Sequence, residues 1–273
     1  MGHGIAHAAL MAGYATMMYD VAPAAVEKGR QAITGIIEKG VELGKISRAD
    51  ADAAAARLQT TASLPDALDG AGFVIEAAPE QIALKLTLLA EIEKHAPADA
   101  IIASNTSSLS VTEMAAALSN PRRLAGMHFF NPVHKMKLVE IVRALESSAD
   151  TLKAIEDVAR RMGKETVVVR DSAGFVTSRV NAMIGNEAFY MLQEGVASAR
   201  DIDKALKLGL NHPMGPFELV DIVGLDTRLS VLEFLHRSLG EKYRPCPLLV
   251  QHVKAGRLGK KVGRGVYDYP SSS

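Results

Sequence analysis

Two side chains that could together move a proton, His128 and Glu140, lie in the stretch LAGMHFFNPVHKMKLVEIV. His128 ends one β-like run and Glu140 lies inside the next, so neighbouring strands would bring the two together. A carboxylate between Val139 and Ile141 is expensive to bury unless it is paired. A histidine held by such a carboxylate is the general base that the oxidation of an alcohol needs. His134 is the local competitor for this role.

A second polar cluster, Asn105 to Ser108 with the sequence NTSS, directly follows a short β run at residues 101–103. Its short amide and hydroxyl groups could hydrogen-bond a nicotinamide ribose and a substrate hydroxyl, or they could cap the next helix. Glu113 follows Ser110 by three residues, as in a capping box, so both interpretations stay open.

A third candidate, Asp20, follows the β run at residues 15–19. A carboxylate at this place can accept hydrogen bonds from both ribose hydroxyls of an adenosine and repels a 2′-phosphate, so it favours NAD over NADP. The alternative is a helix N-cap or a surface aspartate. This alternative has weight because the chain contains no complete G-x-G-x-x-G motif.

The elements that must position these residues alternate between β-like and helical segments over residues 1–170. This alternation predicts a mainly parallel, doubly wound α/β sheet of the Rossmann type, with a helical hairpin inserted at about residues 23–58. Ligands bind such sheets beyond the carboxyl ends of the strands. Residues 171–273 form a second, all-α domain. Its predicted helices cover residues 175–192, 199–208, 217–239 and 246–255.

Composition excludes several classes of function. The formal net charge is zero and the pI is about 7.1, so the chain has no electrostatic footprint for nucleic acid or an acidic membrane surface. A single cysteine, Cys246, rules out an internal disulfide and a cysteine-based zinc site. No metal site, leader peptide or membrane span is predicted. The expected location is the cytoplasm.

Several ordered motifs together resemble the L-3-hydroxyacyl-CoA dehydrogenase family, and its bacterial 3-hydroxybutyryl-CoA dehydrogenase branch in particular. They are ASNTSS at residues 103–108, HFFNPVHKMKLVE at 128–140, HPMGPFEL at 212–219 and GKKVGRGVY at 259–267. The resemblance implies reversible, NAD-dependent oxidation of an (S)-3-hydroxyacyl-CoA. It also implies an NAD-binding first domain and a homodimer formed through the helical second domain.

The resemblance also implies roles for individual residues. His128 is the catalytic base, Glu140 orients it, and Ser107 contacts the substrate hydroxyl. Ser178 is a substrate contact that stands where many members have asparagine, and its hydroxyl has a shorter reach. The hairpin at residues 23–58 falls where the family grips CoA. Cofactor contacts are implied at Gly2, Asp20, Glu80, Lys85, Asn105, Asn131 and Lys261.

The first residues depart from the family pattern of a strand followed by Gly-x-Gly-x-Met-Gly. Met1-Gly2 matches the last two positions, so Gly2 corresponds to the third glycine, which lets helix and sheet pack closely. The strand and the two preceding glycines have no counterpart. We therefore expect that Met1 is an internal methionine of a longer natural chain. We also expect that this chain binds NAD poorly and has a loosely packed first domain.

Two alternatives stay open beside the 3-hydroxybutyryl-CoA interpretation. One is a dehydrogenase of a related substrate such as 3-hydroxyadipyl-CoA, because acyl chain length cannot be inferred from these motifs. The other is a truncated, non-catalytic nucleotide-binding protein. Reduction of NAD by 3-hydroxybutyryl-CoA distinguishes the second alternative from an enzyme.

Overall fold

A computed structural model describes residues 1–269, and the chain divides into two compact units, Met1–Asp171 and Ser172 onward. The last four residues of the predicted second domain, 270–273, lie outside the described residues. No helix within residues 1–269 is both long enough and apolar enough to cross a bilayer.

The first unit alternates strands with helices. Its strands β1 to β7 are Thr16–Tyr19, Leu58–Thr61, Phe73–Glu76, Ile101–Ser104, Leu124–Phe129, Leu138–Arg143 and Glu165–Arg170. Its helices α1 to α7 are Gly2–Met11, Pro23–Glu42, Arg48–Ala56, Leu64–Leu68, Ile82–His95, Val111–Ala116 and Ala149–Arg161. Helices α2 and α3 occupy the segment where a helical hairpin was predicted.

The strands form two sheets. β1 and β2 pair in parallel, and β3 to β7 form a five-stranded sheet in the order β3-β4-β5-β6-β7. Within residues 1–269 no further strand pairs with the outer edge of β1 or β3.

The five-stranded sheet is mainly parallel, as predicted, but β5 and β6 run antiparallel. Only residues 130–137 connect these two strands. A parallel crossover needs a dozen or more residues, so the chain can only turn back on itself here.

Alternate residues of β5 and β6 face opposite sides of the sheet. On one side Met127 and Ile141 are buried in a core that also contains Ile155 of α7. His128 directly follows Met127 on β5, and Glu140 directly precedes Ile141 on β6. Both therefore face the other side of the sheet. The hydrophobic pattern of the two strands thus keeps the polar pair out of the main core.

Serine caps fix where many of the helices begin. At each of five helices a serine side chain accepts a hydrogen bond from the backbone N–H three residues later, which satisfies one of the unpaired N–H groups of the first turn. These serines are Ser47, Ser63, Ser110, Ser148 and Ser198. The cap at Ser110, one of the two interpretations that the sequence left open, is among them, with Ser110 Oγ accepting from the Glu113 N–H.

The second unit is helical over its described part. Helices α8 to α12 are Thr177–Gln193, Ala199–Gly209, Pro216–Val223, Leu225–Leu239 and Pro247–Lys254. The single helix predicted over residues 217–239 is wrong, because α10 ends and α11 begins on either side of Gly224. This glycine has φ of 104°, a conformation that side-chain-bearing residues rarely adopt and that interrupts the helix.

A buried aspartate holds the C-terminal motif onto the second unit. Asp221 accepts hydrogen bonds from the backbone N–H groups of Val266 and Tyr267 and from the hydroxyl of Tyr269. A Cβ at Gly265 would lie 2.0 Å from Asp221 Oδ1, so only glycine fits there. The GRGVY sequence therefore has a structural reason within this unit.

Candidate active site

His128 and Glu140 are direct cross-strand partners in β5 and β6. His128 Nδ1 lies 2.8 Å from Glu140 Oε2, and both side chains are buried, with 7% and 0% exposed. The prediction that neighbouring strands join these residues is confirmed. An Nδ1–H donated to the carboxylate fixes the tautomer in which Nε2 is the basic nitrogen. The ring of Phe130 packs against the His128 ring, with 4.5 Å between the ring centroids.

The serine turn after β4 wraps around the carboxylate of Glu80. Glu80 Oε1 accepts hydrogen bonds from the hydroxyl of Thr106 at 2.7 Å, the backbone N–H of Ser107 at 2.8 Å and that of Ser108 at 3.0 Å. The Ser107 hydroxyl lies 3.1 Å from the same oxygen. Glu80 thus determines where the Ser107 side chain stands.

The environment of Glu80 favours its charged form. Burial by itself would raise the pKa of this carboxyl group, but the hydrogen bonds from Thr106 and Ser107 and the charge of Lys85 outweigh it, so the pKa is lowered. The turn therefore presents its N–H and hydroxyl donors to a fixed anion at neutral pH.

Next to this turn lies a buried ion pair, which the sequence pattern alone does not reveal as a pair. Lys85 Nζ is 2.7 Å from Glu76 Oε1 and donates to the backbone carbonyl of Ala78 at 3.1 Å. The Ser104 hydroxyl donates to Glu76 Oε2 at 2.6 Å. The side chain of Lys85 is 1% exposed, so its ammonium is enclosed by protein groups. A sequence signal existed: a carboxylate that ends an apolar strand needs a buried partner.

Asn105 ties the ends of two neighbouring strands together. Its side-chain oxygen accepts a hydrogen bond from the backbone N–H of Phe129 at 2.8 Å, next to His128. Asn131 is exposed in the connection between β5 and β6. Their predicted place near a nicotinamide stays a prediction.

Asp20 lies exposed after the carboxyl end of β1, and Asp20 Oδ1 accepts a hydrogen bond from the backbone N–H of Ala22 at 3.0 Å. This bond closes a local turn before α2, whose N-cap is Ala22 and receives no side-chain cap, so the helix N-cap alternative is wrong. The surface-aspartate alternative and the ribose prediction both stay open. The close-packing role given to Gly2 is wrong, because a Cβ there would meet no atom within 4 Å. Gly4 packs closely instead: its Cβ would lie 3.1 Å from the Cβ of Val133.

Two predicted contacts belong to the second unit. Ser178 lies half-buried in the first turn of α8. Lys261 Nζ is 2.6 Å from both carboxylate oxygens of Asp226. Within this unit Lys261 thus forms an ion pair with Asp226. A cofactor contact of Lys261 would have to share its ammonium with this carboxylate. Both roles stay predictions.

His134 competes poorly with His128 as a base. Its exposed ring meets the ring of His7 edge to face, with 6.2 Å between the ring centroids. Burial, Lys135 and Lys164 lower the pKa of His134. Within residues 1–269 it has no carboxylate partner of the kind that Glu140 provides for His128. Within residues 1–269 no group of three or more histidine, cysteine or acidic residues could hold a metal ion.

Comparisons with known proteins match both units. Residues 1–172 match the domain described as 3-hydroxyacyl-CoA dehydrogenase, NAD binding domain, and residues 174–269 match 3-hydroxyacyl-CoA dehydrogenase, C-terminal domain. A probable 3-hydroxybutyryl-CoA dehydrogenase of Bacillus subtilis is 47% identical over 98% of this chain and 94% of the relative. The 3-hydroxybutyryl-CoA dehydrogenase of Bradyrhizobium diazoefficiens is 41% identical over 98% of this chain and 92% of the relative.

Solved structures agree with the sequence comparison. The crystal structure of the (S)-3-hydroxybutyryl-CoA dehydrogenase of Ralstonia eutropha superposes with a TM-score of 0.96 at 44% identity, covering 99% of this chain and 96% of that one.

The E. coli 3-hydroxyadipyl-CoA dehydrogenase is 37% identical over 98% of this chain, which corresponds to 57% of that protein.

Proposed function

Because this chain belongs to the 3-hydroxyacyl-CoA dehydrogenase family, we propose that it oxidises (S)-3-hydroxybutyryl-CoA to acetoacetyl-CoA with NAD. The family makes it an NAD-dependent oxidoreductase that acts on 3-hydroxyacyl-CoA. The four-carbon acyl group is the finer part of the proposal. It is supported by the substrate named for the relatives at 41% and 47% identity.

The observation that carries the mechanism is the buried contact between His128 and Glu140. His128 Nε2 takes the proton of the 3-hydroxyl group as the C3–O bond becomes a carbonyl. Glu140 stabilises the imidazolium that forms and keeps the ring in one orientation. In the reverse direction His128 returns the proton to the carbonyl oxygen.

The chain's own residues fit a dinucleotide at the carboxyl ends of the strands. Asp20 offers an exposed carboxylate there, and Asn131 offers an exposed amide. Bound NAD supplies the acceptor for the hydride that leaves C3. Asp20 would hold the adenosine ribose and repel a 2′-phosphate, whereas Asn105 and Asn131 would hold the nicotinamide end.

Ser107 serves the substrate oxygen in this proposal. Its hydroxyl donates to Glu80 or to a ligand, but not to both, because it has one proton. With the alcohol bound, the substrate hydroxyl directs its one proton to His128 Nε2, so the Ser107 hydroxyl turns away from Glu80 and donates to the substrate oxygen. With the ketone bound, it turns its proton toward the carbonyl oxygen. Ser178 is proposed as a further substrate contact.

We also propose a homodimer formed through the helical unit. Leu208, Leu210 and Val196 are large apolar side chains with 76%, 67% and 64% of their surface exposed. Large apolar side chains that are this exposed are typical of protein interfaces. Light scattering on the purified protein should give twice the chain mass, and Leu208→Glu should lower it. We propose the cytoplasm as its location, where NAD and a 3-hydroxyacyl-CoA would both be available.

The function is tested by following NADH formation with (S)-3-hydroxybutyryl-CoA and, separately, with (S)-3-hydroxyadipyl-CoA. We expect a higher kcat/KM with the four-carbon substrate. A reversed preference would contradict the proposed substrate but keep the dehydrogenase. No NADH formation with either thioester, while NAD still binds, would favour a non-catalytic nucleotide-binding protein.

A further inference from the structure

We propose that Glu76 and Lys85 are positioning residues for the reaction, which act through Glu80 on the hydroxyl of Ser107. The inference rests on the proposed function, since it concerns the substrate contact of the dehydrogenase. It also assigns Lys85 a role inside the protein, beside or instead of the cofactor contact that its family position implies.

The carboxylate of Glu76 is fully engaged where β3 ends. Glu76 Oε1 accepts from Lys85 Nζ at 2.7 Å and from the backbone N–H of Ala78, and Oε2 accepts from the Ser104 hydroxyl at 2.6 Å. The Glu76 side chain is 0% exposed. A buried charge held from three sides has one orientation, so it fixes the ammonium of Lys85 in place.

Lys85 links this fixed carboxylate to a second one, that of Glu80. Its Nζ lies 3.7 Å from Glu80 Oε2, outside hydrogen-bond distance but within reach of an ion pair. Glu80 is more open, with 36% of its side chain exposed. The ammonium therefore restrains one oxygen of Glu80 while the other oxygen faces the serine turn.

The orientation of Glu80 is what the serine turn depends on. Glu80 Oε1 gathers the N–H groups of Ser107 and Ser108, and it lies 3.1 Å from Ser107 Oγ. The turn also starts from the same network, because the Ser104 hydroxyl bonds to Glu76. A displaced Lys85 ammonium would thus draw Glu80 away from Ser107 and loosen the substrate contact.

Glu76→Gln removes the charge that holds Lys85 and keeps the shape of the side chain. The enclosed ammonium then has Glu80 as its nearest carboxylate, and Glu80 should move toward it and leave the N–H groups of the turn. We expect hydrogen exchange at the Ser107 and Ser108 amides, measured by NMR, to become at least about tenfold faster. Glu91→Gln, the same change at an exposed glutamate of α5, is the matched control and should change neither rate.

The kinetic test is a double-mutant cycle with Ser107→Ala. Glu76→Gln should lower kcat/KM for (S)-3-hydroxybutyryl-CoA by about tenfold or more in the natural background, because small misplacements of a contact group are costly. In the Ser107→Ala background the same change should cost less than about twofold, because the group through which it acts is already gone. A purely structural role would give equal losses in both backgrounds.

The outcomes separate this inference from the proposed function. If the unsubstituted protein has no dehydrogenase activity, the proposed function is refuted. The amide exchange rates still test the network in that case, because their measurement needs no turnover. Unchanged exchange at Ser107 and Ser108 in Glu76→Gln, or equal kinetic losses in both backgrounds, would overturn the inference. If Glu76→Gln does not fold, Ser104→Ala removes one neutral bond to Glu76 and should accelerate the same exchange by a smaller factor; no acceleration would overturn it equally.

Discussion

His128 and Glu140 stand directly opposite each other in the antiparallel pair β5–β6, with 2.8 Å between His128 Nδ1 and Glu140 Oε2. Cross-strand positions of this kind hold two Cβ atoms at a fixed short distance, so the contact is set by the sheet register and not by flexible loops. The neighbouring residues of both strands fill the core on the opposite face. A slip of one residue in register would expose that core and bury the polar pair in it, which makes the catalytic geometry part of the fold itself.

Replacing the proposed base should abolish most of the activity without unfolding the chain. Glutamine at position 128 can still donate a hydrogen bond to Glu140, so His128→Gln should keep the fold. It cannot accept the substrate proton, and kcat should fall by about 10²- to 10⁴-fold. Steady-state kinetics beside a circular dichroism spectrum test this. Near-natural turnover in a folded His128→Gln protein would refute the assignment of the base.

Neutralising the orienting carboxylate should also slow the reaction. In Glu140→Gln the side-chain amide can donate to His128 Nδ1 and so favour the tautomer whose Nε2 carries a proton and cannot act as a base. We expect kcat to fall by at least about tenfold while KM for NAD changes little. His134→Asn is the control, because it alters a nearby histidine without a carboxylate partner. Equal effects of the two substitutions would contradict the role of Glu140.

Cofactor preference should depend on the charge of Asp20. Serine at this position can accept the same hydrogen bond from the N–H of Ala22 that Asp20 accepts now. Asp20→Ser therefore separates this local turn bond from the electrostatic role. We expect the ratio of kcat/KM for NAD to that for NADP to fall by about tenfold, equivalent to about 1.4 kcal/mol. An unchanged ratio would leave Asp20 with the local turn bond alone.

The active-site pair was predictable because it follows from local pattern. Two adjacent β runs, each with apolar residues on alternate positions, place His128 and Glu140 on one face as soon as the runs pair. The sheet class and the Ser110 cap were predictable for the same reason, because strand alternation and capping residues can each be recognised within a short stretch of sequence.

The rest of the site depends on contacts between distant segments. Glu80 reaches a turn 26 to 28 residues further along the chain, and Lys85 finds its partner on a different element. Sequence spacing does not reveal which acceptor a buried ammonium meets, so the family position alone made Lys85 a cofactor contact. The close approach of Gly4 to Val133, which the sequence did not indicate, likewise exists only after helix and loop have packed.

The stability of the first unit should depend on pH through His7. Both ring nitrogens of this buried histidine lack a hydrogen-bond partner, and burial, with His134, Lys164 and His3 nearby, lowers its pKa from 6.5 to about 4. The unfolded chain therefore binds a proton below about pH 6.5 that the folded chain refuses until about pH 4. The free energy of unfolding should thus fall as the pH decreases through this window.

His7→Gln gives the comparison for this pH dependence, because glutamine occupies similar space and does not titrate. Urea unfolding near neutral pH and near pH ~5 should show a smaller loss of stability in the variant than in the natural chain. His3 and His134 also have lowered pKa values and remain in both proteins. The difference between the two proteins in how their free energy of unfolding changes with pH therefore isolates His7. An identical pH dependence of the free energy of unfolding in both proteins would show that His7 is protonated equally in the folded and unfolded states.

The second unit should lose stability when Asp221 loses one acceptor oxygen. Asp221 is fully buried, and its Oδ2 accepts from the N–H of Tyr267 and the hydroxyl of Tyr269. In Asp221→Asn an amide NH₂ would face these groups; the tyrosine hydroxyl can rotate and accept, but the Tyr267 N–H cannot. An unsatisfied buried donor costs about 1–3 kcal/mol, so calorimetry should find the unfolding temperature lowered by several degrees. Asp268→Asn, at an exposed aspartate of the same segment, should leave that temperature nearly unchanged because its ion pair is open to solvent. Equal shifts in both variants would mean that the C-terminal motif is not held by Asp221.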